Sequence, residues 1–315
     1  MKVLVTGAGG FVGAALTRRL AAAGHSVRGS FRDAPPPVSW MESVSTGDLE
    51  NLADPVALTD GMDAVVHLAA RVHMMRETAK DPDAAYRHAN VDTTERLAAA
   101  AASTGVSRFV LMSSIKANGE ETDGGAYGEA SPPNPQDAYG QSKLEAERAL
   151  EKFAGSPMTA TALRPPLVYG PGAKGNFAAL MRVCATSLPL PLDGVTGNRR
   201  SLLFLGNLTA AIERVLTCPE PHAGVYLLRD GEDMSTADLV RRLRFSFNRS
   251  TLTLPVPAGL LRAAAKAVGK SAAADRVCGS LRIDDGLFRR TFDWAPPFTV
   301  GQGLAATASR FRAHA

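Results

Sequence analysis

Long apolar runs and cysteines are both scarce in this sequence. No apolar run approaches the roughly 20 residues that a membrane helix needs, so we expect no insertion into a membrane. The cysteines, Cys184, Cys218 and Cys278, lie far apart and form no CxxC pair, which favours small buried side chains over disulfides or a metal site. Met1 and Lys2 lead directly into a strand-like run, so we expect no signal peptide and a cytoplasmic protein.

Runs of basic residues are missing as well. The chain carries 35 Lys and Arg against 31 Asp and Glu, a net charge of +4, and the basic residues are scattered. This balance suits a small anionic substrate, whereas nothing in the pattern indicates a nucleic-acid partner. With 315 residues, 45% of them hydrophobic, the chain can form one large domain or two modest ones.

The chain begins with a strand, a glycine-rich turn and a helix. Residues 2–6 predict a short buried strand, and residues 14–23 have helical periodicity. Glycines between them allow a tight turn, a close approach of the backbone to a pyrophosphate, and close packing of helix on strand. We therefore predict a dinucleotide site rather than an ordinary turn. Its expected residues are Gly7, Gly10, Phe11, Val12 and Gly13.

The acidic residue that would select NAD is missing where it is expected. The second strand, residues 24–31, ends at Phe31, and Asp33 comes two positions late. Arg28 and Arg32 are basic residues that could meet a 2′-phosphate, or they could be solvated charges. On this pattern we predict NADP(H) as the preferred cofactor, with NAD(H) as the alternative.

Strands alternate with helices along the first half of the chain. Further strands are expected at residues 44–49, 63–70, 107–113 and 158–163, which predicts a doubly wound parallel sheet. Small residues at the end of the fourth strand would let a cofactor approach the backbone closely. The further cofactor residues expected along this edge and on the next helix are Asp48, Leu49, Leu68, Ala69, Ala70 and Asn90.

A tyrosine and a lysine open the helix that follows the fifth strand. Tyr139 and Lys143 are four residues apart, so they lie one turn apart on one helix face. A free phenol titrates near ~10, and we expect the neighbouring ammonium to lower the pKa of Tyr139. Ser113 and Ser114 end the fifth strand, and either hydroxyl could hold a substrate oxygen beside the phenol. The carboxyl edge of such a sheet is where ligands bind.

The pattern changes after Arg164, where the chain becomes irregular and rich in proline. We predict a dinucleotide-binding domain of residues 1–165 and a smaller substrate lobe of residues 166–315. A strand-like run at 202–204 and a helix after it are expected to bring residues 202–228 back to the main sheet.

With these residues in place, the chain resembles the extended short-chain dehydrogenases, the NAD-dependent epimerase/dehydratase family that acts on nucleotide sugars. The resemblance implies a Rossmann-type sheet and a Ser114, Tyr139 and Lys143 triad, in which Ser114 is matched by counting back from Gly119. It also implies that Lys143 and Pro166 contact the cofactor. The motifs that carry it are Thr6-Gly-x-x-Gly-Phe-x-Gly13, His67-Leu-Ala-Ala70, Ser113-Ser114 with Tyr-x-x-x-Lys, Arg164-Pro-x-x-Val-Tyr-Gly-Pro171 and Phe292-Asp-Trp-x-Pro296.

The same resemblance implies a UDP-sugar substrate and is compatible with a homodimer, and we expect no metal. Its dehydratases carry Asp-Glu where this chain has Ile115 and Lys116, which argues against elimination of water. Residues 113–120 look most like a bacterial subgroup with 4-keto-reductases of UDP-6-deoxy-hexosamines. We therefore expect such a reductase, with a UDP-glucose or UDP-N-acetylglucosamine 4-epimerase as the alternative and a non-catalytic sensor as a remote one. The implied substrate residues are His73, Ser114, Lys116, Tyr139, Asn176 and Arg200.

Overall fold

The computed structural model describes residues 1–35, 37–72, 81–153, 157–251, 253–267, 269 and 271–313, and its centre is a seven-stranded parallel sheet. The strand order is β3-β2-β1-β4-β5-β6-β9. Strands β2 and β3 are added on one side of β1, and the strands from β4 onward are added on its other side, parallel to it. This confirms the predicted doubly wound α/β sheet. The strands are β1 Lys2–Thr6, β2 Ser26–Phe31, β3 Glu42–Ser45, β4 Ala64–His67, β5 Arg108–Met112, β6 Thr159–Arg164, β7 Leu167–Tyr169, β8 Leu202–Phe204 and β9 Gly224–Leu227.

Helices connect the strands and cover both faces of the sheet. Two of them, α3 Pro82–Tyr86 and α4 Thr93–Ser103, are joined by a π-helical turn over Arg87–Asp92. The helices are α1 Phe11–Ala22, α2 Pro55–Thr59, α3 Pro82–Tyr86, α4 Thr93–Ser103, α5 Ala138–Glu151, α6 Gly175–Cys184, α7 Leu205–Thr217, α8 Thr236–Ser246, α9 Ala258–Ala267, α10 Ser271–Cys278, α11 Gly286–Phe292 and α12 Val300–Arg312.

The central strands are apolar on both faces because a core lies on each side of them. Val3 and Val5 of β1 belong to one core with α1, α7 and α11, whereas Leu4 between them belongs to a second core with α2, α4 and α5. Successive side chains of a strand point to opposite faces, so a strand buried on both sides reads as a continuous apolar run.

The lobe after β6 is built around a second, two-stranded sheet. Strand β8 pairs with β7 instead of returning to the main sheet, and β9 takes the place beside β6. Helices α6, α8 and α12 pack on this pair through a core that includes Tyr169, Phe177 and Leu243. The lobe therefore leaves the main sheet after Arg164 and rejoins it at Gly224.

The carboxyl ends of β1, β4, β5 and β6 meet at one edge of the main sheet, and α5 begins beside them. Within the described residues, no helix combines the length and the apolar character needed to cross a membrane.

Candidate active site

The glycine-rich loop after β1 is tightly nested. Gly7 has a φ of +67°, and a Cβ there would lie 3.0 Å from the backbone nitrogen of Ala69. A Cβ at Gly13 would lie 2.2 Å from the carbonyl oxygen of Gly7, so only glycine fits where α1 meets the loop. Gly10 caps α1 without a side chain, which leaves the first amides of the helix for a ligand. This cradle fits the pyrophosphate of a dinucleotide.

A buried hydroxyl–imidazole pair supports the loop from β4. The Thr6 hydroxyl oxygen accepts bonds from the backbone nitrogens of Leu68 at 3.1 Å and Ala69 at 3.2 Å. It therefore donates its own proton to Nδ1 of His67, 2.8 Å away. Burial lowers the pKa of His67 to about 3, and the charge of Lys143 adds to the effect. The imidazole is neutral, with its proton on Nε2.

The ribose end of the expected cofactor site is lined by Phe31. Phe31 is buried, and a Cβ at Gly9 would lie 3.3 Å from its ring. Arg28 is turned away to other partners, because its Nε donates to Glu42 at 2.9 Å and its Nη1 donates to the carbonyl of Leu58 at 3.1 Å. Of the two arginines, Arg32 is therefore the one left to meet a 2′-phosphate.

Arg32 lies between two carboxylates on the surface. Its side chain is 73% exposed, 4.0 Å from Asp33 and 3.8 Å from Asp48. Leu49 follows Asp48 and begins a 3₁₀ turn. Any phosphate that binds Arg32 also approaches these two carboxylates.

Asn90 lies in the π-helical turn and is fully engaged with the chain. Its Oδ1 accepts from the backbone nitrogen of Arg71 at 2.8 Å. Its Nδ2 donates to the carbonyl of Arg71 at 3.0 Å and to the Ser142 hydroxyl at 2.9 Å, and that hydroxyl donates to the carbonyl of Tyr139. Asn90 thus links the end of β4 to the first turn of α5.

The two adjacent serines after β5 face different partners. The Ser113 hydroxyl donates to the carboxylate of Glu147, whereas Ser114 is hydrogen-bonded to the phenol of Tyr139. Lys143 lies with its Nζ 5.9 Å from the centre of the Tyr139 ring and donates to the carbonyl of Met112 at 2.9 Å. The structure therefore brings Ser114, Tyr139 and Lys143 together and directs Ser113 elsewhere.

The expected direction of the Tyr139 pKa is wrong. Burial raises the pKa of Tyr139 to about 12, although the hydrogen bond from Ser114 acts in the opposite direction. Burial also lowers the pKa of Lys143 to about 8, against the attraction of Glu147. Both shifts have the same cause, because removal of water penalises the charged form of each group. In the free protein at neutral pH, Tyr139 is therefore a neutral proton donor.

Lys116 connects the loop of residues 113–118, called here the serine loop, to the start of α5. Its Nζ lies 2.6 Å from Glu120 and 2.5 Å from Asp137. Burial alone would lower the pKa of Lys116, but its hydrogen bonds to Asp137 and Glu120 raise it above the usual value. Asp137 also caps α5 by accepting from the backbone nitrogen of Gly140 at 2.7 Å. The ammonium is thus held beside the first turn that carries Tyr139.

The other predicted substrate residues lie on the lobe or outside the described chain. Arg200 is half-buried, which lowers its pKa, and its Nη1 donates to the carbonyls of Arg276 at 2.9 Å and Gly279 at 3.1 Å. Asn176 is exposed in the first turn of α6. His73 falls outside the residues that the structure describes.

Pro166, predicted at the cofactor site, is buried between β6 and β7, directly after the residue whose carbonyl accepts from Ile115. The three cysteines are buried and free. In the described part of the chain, no cluster of three His, Cys, Asp or Glu side chains could hold a metal ion.

A buried ion pair beneath the site has no counterpart among the predicted residues. Arg164 and Glu147 face each other through two hydrogen bonds, between the end of β6 and α5. In the sequence, the spacing of Glu147 points to this pair: Glu147 follows Lys143 by four residues and therefore shares its helix face.

Comparisons with known proteins cover nearly the whole chain. The model of the NAD dependent epimerase/dehydratase family matches residues 3–228. A UDP-glucose 4-epimerase of Vibrio cholerae is 38% identical over 314 residues, which is 98% of this chain and 95% of that protein.

Solved structures share the fold at lower identity. A UDP-glucuronic acid 4-epimerase from Bacillus cereus, in complex with NAD, is 22% identical with a TM-score of 0.79 over 99% of this chain and 96% of that one. A human epimerase family protein, SDR39U1, with NADPH, is 21% identical with a TM-score of 0.77 over 98% and 99%. The likeness thus extends over both the sheet and the lobe.

Proposed function

Because the chain is an NAD(P)-dependent enzyme of the NAD-dependent epimerase/dehydratase family, we propose that it inverts C4 of a UDP-hexose. The observation that carries the proposal is the Ser114–Tyr139 hydrogen bond beside the Lys143 ammonium, next to the glycine-rich cradle. The Vibrio cholerae relative, similar over nearly its full length, supports epimerisation over the 4-keto-reduction that the residues around Ser114 indicated. The epimerase alternative thereby becomes the leading hypothesis.

The proposed roles follow from the geometry of the three side chains. Ser114 holds the sugar O4 by a hydrogen bond. Tyr139 is neutral in the free protein, so it first loses its phenolic proton to solvent and then takes the O4 proton as a phenolate. The same proton returns to O4 after the 4-keto sugar has turned over in the pocket. An ammonium near a phenol favours the phenolate, so Lys143 assists the step in which Tyr139 accepts the proton. The glycine-rich cradle would hold a dinucleotide, whose nicotinamide would supply reversible hydride transfer at C4. General acid–base catalysis of this kind contributes roughly 10²–10⁴ in rate.

The choice between NAD and NADP rests on Arg32 and its neighbours. A 2′-phosphate would gain one guanidinium but approach the carboxylates of Asp33 and Asp48. The preference for NADP(H) stays a prediction, and this geometry makes us expect a weak one. An epimerase also benefits from retaining one cofactor through every cycle, which either dinucleotide can satisfy.

We propose that the lobe supplies the contacts to the UDP group. Arg200 presents a fixed guanidinium, and arginine binds phosphate through paired donors. Asn176 is its proposed companion on the lobe, and Lys116, at the start of α5, is proposed to contact the substrate outside the lobe. Assembly into a homodimer stays a prediction.

The test separates epimerase from reductase by the fate of the cofactor. The purified protein is incubated with UDP-glucose or UDP-N-acetylglucosamine without added cofactor, and the C4-inverted sugar is measured by NMR. We expect inversion, with close to one dinucleotide released per denatured chain. A parallel reaction contains a UDP-4-keto-6-deoxy-hexosamine and NADPH. Stoichiometric loss of NADPH there, with no inversion in the first reaction, would overturn the epimerase in favour of the reductase.

A further inference from the structure

Three side chains with acid–base groups lie along one face of α5. Tyr139 and Lys143 belong to the proposed site, and Glu147 follows them by one more turn. Glu147 is 3% exposed, so its carboxylate is enclosed by protein. A buried carboxylate one turn from Lys143 must be satisfied by neighbouring donors, and these donors connect it to the serine loop.

The contacts of Glu147 form a closed network. Its Oε1 accepts from the Ser113 hydroxyl and from Nε of Arg164 at 2.9 Å, and its Oε2 accepts from Nη2 of Arg164 at 2.5 Å. Arg164 then donates through Nη1 to Oδ1 of Asn118 at 2.9 Å. Arg164 and Asn118 are 4% and 0% exposed, so the whole network is shielded from water.

This network grips the serine loop at both ends. The loop begins at Ser113 and ends at Asn118, and Ser114 lies between these two anchors. A backbone bond from Ile115 to the carbonyl of Pro165, 3.0 Å long, fixes its middle. A buried ion pair often adds little to stability, because desolvation offsets its attraction. Its arrangement around Ser114 gives it a second use.

We propose that Glu147 and Arg164 are positioning residues, which hold Ser114 against Tyr139 through Ser113 and Asn118. The Glu147 carboxylate, one helical turn from Lys143, also favours the Lys143 ammonium. The proposal rests on the proposed roles of Ser114, Tyr139 and Lys143. It adds a layer beneath the triad that ties the ends of β5 and β6 to α5.

The electrostatic part depends on the groups around Lys143. Burial lowers the pKa of Lys143 to about 8, and Glu147 acts against that shift. Tyr139 faces Lys143 on the same helix, His67 faces it from β4, and Arg164 of β6 approaches it through Glu147. His67 is neutral and Tyr139 is protonated, so Glu147 supplies the negative charge.

The first experiment removes the hydrogen bonds between the serine loop and the ion pair and leaves the pair itself intact. The double variant Ser113→Ala with Asn118→Ala removes one anchor at each end. We expect kcat to fall about tenfold with little change in KM, because a small displacement of a catalytic group slows the chemical step. Glu145→Gln is the matched control, since Glu145 also lies on α5 and the change breaks its surface pair with Arg87 of the π-helical turn. The control should keep wild-type kcat.

The second experiment reads the Lys143 charge without any substrate. Protein carrying ¹³C- and ¹⁵N-labelled lysine is titrated by NMR, and the Lys143 signal is assigned from Lys143→Met. In Glu147→Gln the pKa of Lys143 should fall by about one unit or more. Because a lone Arg164 could prevent folding, Glu147→Met with Arg164→Met removes both charges and should show the same direction.

The outcomes separate this proposal from the proposed function. Wild-type kcat in the folded Ser113 and Asn118 double variant, together with an unchanged Lys143 pKa in the Glu147 and Arg164 double variant, would overturn the positioning role. A lowered Lys143 pKa in a protein that inverts no UDP-hexose would support the role of Glu147 and remove the proposed function instead.

Discussion

Buried polar groups at the sheet edge and in the lobe differ in how many hydrogen bonds compensate for their burial. At the edge, burial raises the pKa of Tyr139 to about 12 and lowers that of Lys143 to about 8. In the lobe, Asp230 is fully buried but is surrounded by donors, from Tyr169 at 2.8 Å, the backbone of Phe204 at 2.9 Å and Asn207 at 2.7 Å.

The difference separates groups poised to exchange protons from groups that hold the fold. Three donors to one carboxylate act against the rise that burial imposes on the pKa of Asp230. Asn207 extends this contact to both the carbonyl and the nitrogen of Phe298, so the network joins four distant segments. Changes at the sheet edge should therefore cost activity, and changes at Asp230 should cost stability.

The largest expected effect is on catalysis, from Tyr139→Phe. Loss of the phenolic hydroxyl should lower kcat by roughly 10²–10⁴, because Tyr139 is the proposed group that exchanges the O4 proton. The unfolding temperature and cofactor content should stay close to wild type. Steady-state kinetics and thermal unfolding measure the two. If Tyr139→Phe keeps more than about a tenth of wild-type activity, Tyr139 is not the group that exchanges the proton.

Asp230→Ala should show the opposite pattern. It leaves the buried donors of Tyr169 and Asn207 without their charged acceptor, at a cost of about 3 kcal/mol in the free energy of unfolding. The kcat of the folded variant should stay within a few-fold of wild type. Glu232→Ala is the control, because its exposed pair with Arg242 should contribute less than about 1 kcal/mol. Equal losses in a urea titration would show that the network contributes nothing special.

His67 should make the sheet edge sensitive to acid. Its pKa is about 3 in the folded protein against 6.5 in the unfolded chain, so the unfolded chain binds the extra proton between these values. Stability is therefore complete above pH 6.5 and falls as the pH decreases, by about 2 kcal/mol at pH 5. His67→Gln has no ring to protonate and should lose less. Urea titrations at several pH values give the free energy of unfolding of both proteins. An equal decrease of that free energy with falling pH in both would contradict the prediction.

The smallest expected effect is at the exposed end of the edge. Arg32→Ala should weaken NADPH binding by less than about fivefold relative to NADH, because exposed charge pairs contribute about 0.2–1 kcal/mol. Titration calorimetry of cofactor-free protein gives the ratio for each variant. A fiftyfold change would restore the strong NADP(H) preference that the missing acid indicated.

Local patterns were enough to predict the sheet. The strand, glycine turn and helix at residues 2–23 are set by neighbouring residues, and Asp137 caps the helix that carries Tyr139 and Lys143. The pairing of β8 with β7 was missed because a three-residue apolar run fits either sheet equally well.

Long-range contacts explain the rest of what the sequence did not reveal. Asp230 meets Tyr169 across 61 residues, and no local pattern indicates that contact. The pKa of Tyr139 depends on its burial, which is a property of the assembled site and outweighs its spacing from Lys143. Ser113 and Ser114 follow β5, and Ser114 keeps an extended backbone, so the two adjacent side chains point in different directions. Which of them reaches the phenol depends on how β5 and α5 pack together.

The place of β9 has a consequence for synthesis of the chain on the ribosome. About 60 residues separate Arg164 from Gly224, so β6 emerges several seconds before its partner at roughly 5–20 residues per second. During that interval β6 is an open edge, which can pair with another chain. Nascent chains stalled when Arg164 has just left the exit tunnel should recruit chaperones more strongly than chains stalled when Leu227 has left it. Crosslinking on stalled ribosomes would measure this difference.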